Sequence, residues 1–336
     1  MKLFRIWFAT SLGLAISMLM GWSNGMFCIL LPVLILSSID RWQWGPFKQM
    51  LKGVVAIGIE VSLIIGFLQT SPVLMFIAVL MLMSYKCYAM QFPSSALFGY
   101  SGILIGSILL NFGSYNSFDL SNFIIGIVIA ACLAVPLCAL AFWLFPEANT
   151  VAVPAAQSVA SVKQSADFTQ VALGTLTVMI IFVLFQCLNL NDSLSAQASM
   201  LIVLSPMSLV GSKTMAKIRI KGTLIGCGCA LVIQLGLYTL ANNPILYFLA
   251  FVIALGFLSR IFMAGGLNTA LGFSAMSGLV VPLVNSFQPE QHDALFAILY
   301  RISSIVVAVI FTAVLIWLLD AVILRCLKLK QMKRAV

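Results

Sequence analysis

Glu60 lies near the middle of an apolar stretch, residues 52–69, far from either end. A carboxylate at that depth costs about 2.5–3.5 kcal/mol on insertion scales, so it is expected to face a cavity, a partner or a proton route. It is therefore the proton-coupling candidate. The competing reading is a protonated Glu hydrogen-bonded to a neighbouring helix. Arg301 stands a few residues inside the outer end of the last apolar stretch. There it either attracts an organic anion, pairs with Glu60 or Asp293, or snorkels to the membrane surface. Ser94 and Ser95 begin one apolar stretch, and Asn268 and Thr269 begin another. Small polar residues at a helix start offer free backbone N–H groups to a carboxylate, or simply cap the helix. Asn111 and Asn285 fall on each other when these two stretches are aligned. Arg301, Ser94, Ser95, Asn268, Thr269, Asn111 and Asn285 are thus the substrate-binding candidates for an organic acid.

Other charged groups read more simply. Lys213, Lys217, Arg219 and Lys221 form a basic run whose first reading is topology plus lipid headgroup contact. The alternative is a funnel that concentrates anions on the cytoplasmic side. Arg5 reads as an inside-positive anchor, and Trp42 and Trp44 as interfacial ones. His292 is a single loop histidine beside Glu290 and Asp293. Cys227 and Cys229 sit two apart on a helix and face different directions. With one His in the chain, no metal site is expected. No GxSxG, phosphate-binding glycine loop or HExxH occurs, so neither catalytic residues nor a cofactor are expected.

The elements that hold these residues follow from composition. The chain is 62% hydrophobic and 8% charged, with a mean hydropathy of +1.13. Soluble domains carry about 25% charged residues, so this is a polytopic membrane protein. The net charge of +9 does not point to nucleic acid, because the basic residues are spread between apolar stretches. The eight Cys fall inside or near those stretches, and no disulfide framework is expected. Met1–Gly21 reads as a retained first span.

Candidate spans are 4–22, 26–38, 52–69, 73–90, 94–112 and 121–145, then 168–188, 196–210, 220–241, 244–259, 265–285 and 296–322. Spans 26–38 and 196–210 are short and contain Pro32 and Pro206, so each could be re-entrant or broken, if protein covers it. Of the 18 Lys and Arg, only Arg301 falls towards the outside when the N-terminus is cytoplasmic. Lys86 counts among the inside charges. Asp119, Asp192, Glu290 and Asp293 occupy the outer loops. This bias sets the topology, with both termini cytoplasmic.

The same order of features recurs around Lys52-Gly53-Val54-Val55 and Lys221-Gly222-Thr223-Leu224, each read as a helix start after a basic turn. The expected fold is all-α, about twelve transmembrane helices as two parallel six-helix repeats. The first repeat is 1–146, the second 168–322, with a linker at 147–167 and a basic tail at 323–336. Gly102-x-x-x-Gly106 and Gly222-x-x-x-Gly226-x-Gly228 read as close helix contacts.

Lys221, Gly222, Thr223 and Gly226 resemble a hallmark of the fusaric acid resistance and aromatic acid exporter family. There a basic residue and a Gly-Thr-x-x-Gly helix follow a basic turn. Arg5 with the Thr10/Gly13 helix is similar to the family's first span. Larger members carry substantial cytoplasmic domains, so the chain looks like a compact branch. The resemblance implies an inner-membrane exporter of aromatic or other organic acids and a periplasmic membrane-fusion adaptor as partner, with homo-oligomerisation left open. The alternatives are a membrane-embedded enzyme acting on lipid-linked substrates and a scaffold that transports nothing.

Overall fold

Lys52-Gly53 and Lys221-Gly222 do not start helices. Each lies well inside one, in α3 (Trp44–Leu68) and α9 (Leu209–Gly236). The reason is local. Pro46 sits in the first turn of α3, where its missing N–H costs nothing. No breaker follows until Leu68. In α9, Ser208 precedes the helix and its hydroxyl accepts the Gly211 N–H at 3.3 Å, a side-chain N-cap. The second supposed basic turn, Lys213 to Lys221, thus lies wholly within α9, and the first runs from the chain before α3 into that helix.

The computed structural model describes all residues except 23, 116–117, 147–166, 189–193, 238–243, 286–293 and 335–336, and the side chains at 285, 294 and 323–334. Asp192, Glu290, His292, Asp293, the side chain of Asn285 and nearly all of the linker therefore lie outside the described residues. The other helices are α1 (Lys2–Met20), α2 (Met26–Ser38), α4 (Pro72–Met90), α5 (Ala96–Phe112), α6 (Leu120–Leu144), α7 (Phe168–Leu188), α8 (Leu194–Leu204), α10 (Pro244–Ser259), α11 (Leu267–Asn285) and α12 (Ala294–Arg334). The fold is all-helical among the described residues. Among the described residues nine helices are long and apolar enough to cross a membrane, α10 counted with the 3-10 turn Arg260–Ala264 that extends it; α2, α5 and α8 are shorter. A span needs about 20 apolar residues, which these three do not reach. Pro32 sits inside α2, whereas Pro206 falls beyond the end of α8. The last helix runs on to Arg334, through the expected tail.

The chain forms two compact units, and neither is a sequence half. The first comprises residues 1–51, 122–164 and 220–303, the second residues 52–121, 165–219 and 304–336. The division falls within α3, α9 and α12. In the first unit α1 packs on α2 and α10, while α11 packs on α2 and α10. In the second, α7 packs on α8 and α4, while α5 packs on α8 and α4.

Glycines set the closest approaches. A Cβ at Gly222 would lie 2.9 Å from the Leu271 carbonyl oxygen, and one at Gly226 2.8 Å from the Ala275 carbonyl carbon. These glycines seat α9 on α11 in the first unit. In the second, a Cβ at Gly53 would lie 3.3 Å from Phe98 Cα, seating α3 on α5. Removing the side chain is what lets the backbones come this near.

Candidate functional site

Glu60 has a counter-ion: Lys86. The Lys86 ammonium lies 3.0 Å from Glu60 Oε1 and 2.7 Å from Oε2. Both belong to the second unit. The meeting follows from helix geometry. Glu60 is eight residues before the end of α3, and Lys86 fourteen after the start of α4. At about 1.5 Å per residue, their Cα atoms are offset by roughly 9 Å along the antiparallel pair. Side chains tilt towards the N-terminus of their own helix. In an antiparallel pair that turns Glu60 and Lys86 towards each other and closes the gap.

Lys86 is wholly buried, 0% exposed, whereas the Glu60 side chain keeps 32%. The Lys86 stem runs across Gly102 of α5, where an added Cβ would meet its Cδ at 2.7 Å. Its ammonium stands 4.1 Å from the Phe98 ring centroid and 5.3 Å from that of Tyr85, within cation–π range. The reading of Lys86 as a cytoplasmic surface charge is therefore corrected. It sits four residues from the end of α4, where a lysine normally snorkels outward, but Gly102 opens a slot that takes it inward. Gly102-x-x-x-Gly106 is the sequence signal for that slot. Gly106 admits Ile57 of α3 in the same way.

Asn111 is also in the second unit and is completely buried. Its Nδ2 donates to Gln197 Oε1 at 3.2 Å, and its Oδ1 accepts from Gln186 Nε2 at 2.8 Å. Gln197 Nε2 in turn donates to the Ser107 carbonyl and hydroxyl oxygens, each at 2.9 Å. Gln186 also donates to Ser114 at 2.8 Å. This network ties α5 to α7 and α8, and it engages the Asn111 amide at both ends. Asn111→Leu is expected to lower stability by about 1–2 kcal/mol, the usual worth of such bonds between membrane helices. A drop in the melting temperature of the purified protein in detergent checks it.

The remaining candidates are spread out. Ser95 precedes α5, but its hydroxyl donates to the Ala89 carbonyl at 2.8 Å, closing the end of α4. Ser94 is exposed. The N–H groups of Asn268 and Thr269 are already bonded, at 3.1 Å each, to the carbonyls of Gly265 and Gly266. Arg301, in the first unit, is buried and donates from Nη2 to the Ser277 carbonyl at 3.2 Å. Lys221 is exposed, while Gly222, Thr223 and Gly226 are buried. The family motif thus presents one charge and one packing face.

Two arginines depart from their surface readings. Arg5 is buried; its Nε donates to the Phe145 carbonyl and its Nη1 to that of Asp40, both at 2.8 Å. It lies 4.2 Å from the Phe142 ring centroid and joins the chain after α2 to the chain after α6. Arg219 is 2% exposed and donates from Nε to Ser199 Oγ at 3.1 Å. Lys213, Lys217 and Lys221 repeat every four residues on the exposed face of α9. Arg219, two residues from Lys217 and Lys221, falls on the opposite face.

Nine candidate spans among the described residues define an integral membrane protein, and two of its neighbouring helices carry a carboxylate–ammonium pair. Residues 179–316 match the family model described as fusaric acid resistance protein-like. Residues 2–141 match a second model, described as a protein of unknown function (DUF2955). The second part of the chain is thus similar to fusaric acid resistance proteins, which is consistent with efflux-related membrane transport. No curated protein and no solved structure matches the chain.

Proposed function

We propose that the chain is a bacterial inner-membrane secondary exporter of aromatic or other organic acids, with the proton gradient as its energy source. Glu60 carries the proton, and both termini are cytoplasmic. The observation that carries this reading is the Glu60–Lys86 pair. An ion pair within membrane helices is costly, and it is retained mainly where charge must move. The family match supports efflux as the outcome. A parallel duplication is supported by the packing pairs. Adding six to each helix number, counted cyclically over twelve, turns α1 on α2 into α7 on α8, and α4 on α7 into α10 on α1. A periplasmic membrane-fusion adaptor is the proposed partner, on the family likeness alone.

Efflux of preloaded benzoate from energised cells tests the exporter. Cells expressing the protein are expected to lose benzoate faster than cells without it, and a protonophore is expected to abolish the difference. Glu60→Gln is expected to slow that component by roughly tenfold or more, about 1.4 kcal/mol in barrier. An unchanged rate and unchanged pH dependence in the variant would remove Glu60 from the mechanism. No added efflux from the parent protein would remove the export function itself.

A further inference from the structure

We propose that the second unit holds a site for a soft monovalent metal ion, Cu(I), ligated by Cys87 Sγ of α4 and by Met207 Sδ in the turn between α8 and α9. The proposal does not depend on the exporter reading. It starts from two sulfurs that converge. A Cβ placed on Gly174 of α7 would lie 3.3 Å from Cys87 Sγ and 3.3 Å from Met207 Sδ. The sulfurs therefore approach one point from two elements, and they are at most twice that distance apart. Because residue 174 is glycine, no side chain stands at that point. An ion with metal–sulfur bonds of about 2.3 Å would draw each sulfur about 1 Å inward. Methionine has three rotatable bonds and a polarisable thioether, so Met207 can supply much of that movement.

Burial is the second observation. Cys87 is 0% exposed, Met207 4% and Thr175 6%. Thr175 follows Gly174 on α7. Its hydroxyl adjoins the Cys87 thiol, yet it makes no hydrogen bond of good geometry. A buried hydroxyl left in that state is costly. A Cys87 thiolate bound to an ion is an acceptor it can donate to, in the way that groups behind a metal ligand usually do. A third sulfur stands close by. Met90 lies three residues after Cys87, on the same side of α4, and lines a cleft with Met207, Tyr100 and Ser205.

Ligand chemistry chooses the metal. Thiolate and thioether sulfur are soft and select Cu(I) over Mg, Ca or Mn. A structural zinc takes four ligands from Cys, His and carboxylates, and no cluster of three such residues occurs among the described residues. Charge points the same way. A Cys87 thiolate with a monovalent ion is neutral overall, whereas a divalent ion would leave net charge among apolar helices, which is costly there. Lys86, next to Cys87 in the chain, is turned to Glu60 and the Gly102 slot instead. The balance is simple. One bond forms from the thiolate and one from the thioether, the thiol proton leaves to solvent, and no electron is transferred. Spacing along the chain does not announce the site, because the two sulfurs are 120 residues apart.

Titration of Cu(I) against the chelator bicinchoninate, without oxygen and on purified protein in lipid nanodiscs, tests the site. The background carries Cys132→Ser and Cys187→Ser, which removes two exposed thiols. One equivalent is expected to bind in this background as in the parent, and to raise the melting temperature. Cys87→Ser, Met207→Gly and Gly174→Ala are each expected to weaken binding by roughly tenfold or more. Gly174→Ala keeps both sulfurs and puts a methyl group where the ion goes. Met207→Gly guards against a variant that merely fails to fold. Residue 207 has φ 47°, a conformation glycine adopts freely, so without metal this variant is expected to melt no lower than its background. X-ray absorption of the bound copper is expected to show sulfur neighbours alone. Loss of binding on replacing Cys132 and Cys187, parent-like affinity in Cys87→Ser or Met207→Gly, or no saturable binding by the parent would each overturn the proposal. None of these results bears on benzoate efflux, so the site and the exporter stand or fall separately.

Discussion

Gly226→Ala is expected to destabilise the protein by about 3 kcal/mol, the upper range for forced overpacking. The new Cβ would collide with the Ala275 carbonyl oxygen and come within 3.0 Å of Gly278 Cα. Both are backbone atoms, so no rotamer change relieves the contact, and α9 and α11 must separate. Gly228 supplies the control. Nothing lies within 4 Å of a Cβ added there, so Gly228→Ala is expected to stabilise the helix by about 0.5–1 kcal/mol through backbone entropy alone. Melting temperatures of the two variants in detergent should move in opposite directions. A Gly226→Ala protein as stable as the parent would show that α9 and α11 do not pack as described.

The second large effect is an asymmetric mutant cycle at the ion pair. Glu60→Leu strands a fully buried ammonium and is expected to cost about 3–5 kcal/mol, the usual range for removing one partner of a buried pair. Lys86→Met leaves a carboxylate that keeps 32% exposure and can take up a proton, so its cost is expected to be nearer 1–2 kcal/mol. The double variant is expected to lie close to the parent, because replacing a buried pair with apolar groups is often neutral. The coupling energy from the cycle should therefore exceed about 1 kcal/mol. Equal costs for the two single changes would show that Lys86 is not the more buried charge.

Much of this architecture was legible in the sequence. Each of the twelve apolar stretches holds a helix among the described residues, nine of them long enough to span a membrane, and the central carboxylate emerged from its depth alone. What was not legible depends on neighbours. Lys86 reads as a membrane-edge lysine until Gly102 is known to lie against it. Arg219 reads as one of four basic residues in a row, and only helical phase separates it from Lys213, Lys217 and Lys221. Arg5 reads as an anchor because the carbonyls it binds, at Asp40 and Phe145, lie 35 and 140 residues away. The Lys-Gly anchors read as helix starts, but their glycines lie on helix packing faces. Periodicity finds the spans well, whereas a buried charge is found only when the side chain opposite is known.

The interleaving of the two compact units has a consequence for biosynthesis. Trp7 of α1 bonds the Val252 carbonyl of α10 at 2.9 Å, across 245 residues of chain. The first helix must therefore wait in the bilayer for a partner made 245 residues later. Neither unit can be completed by an N-terminal fragment, since each needs residues from beyond 219 or 303. Contacts this distant in sequence make assembly slow and leave early helices with open flanks that quality-control proteases and holding chaperones can engage.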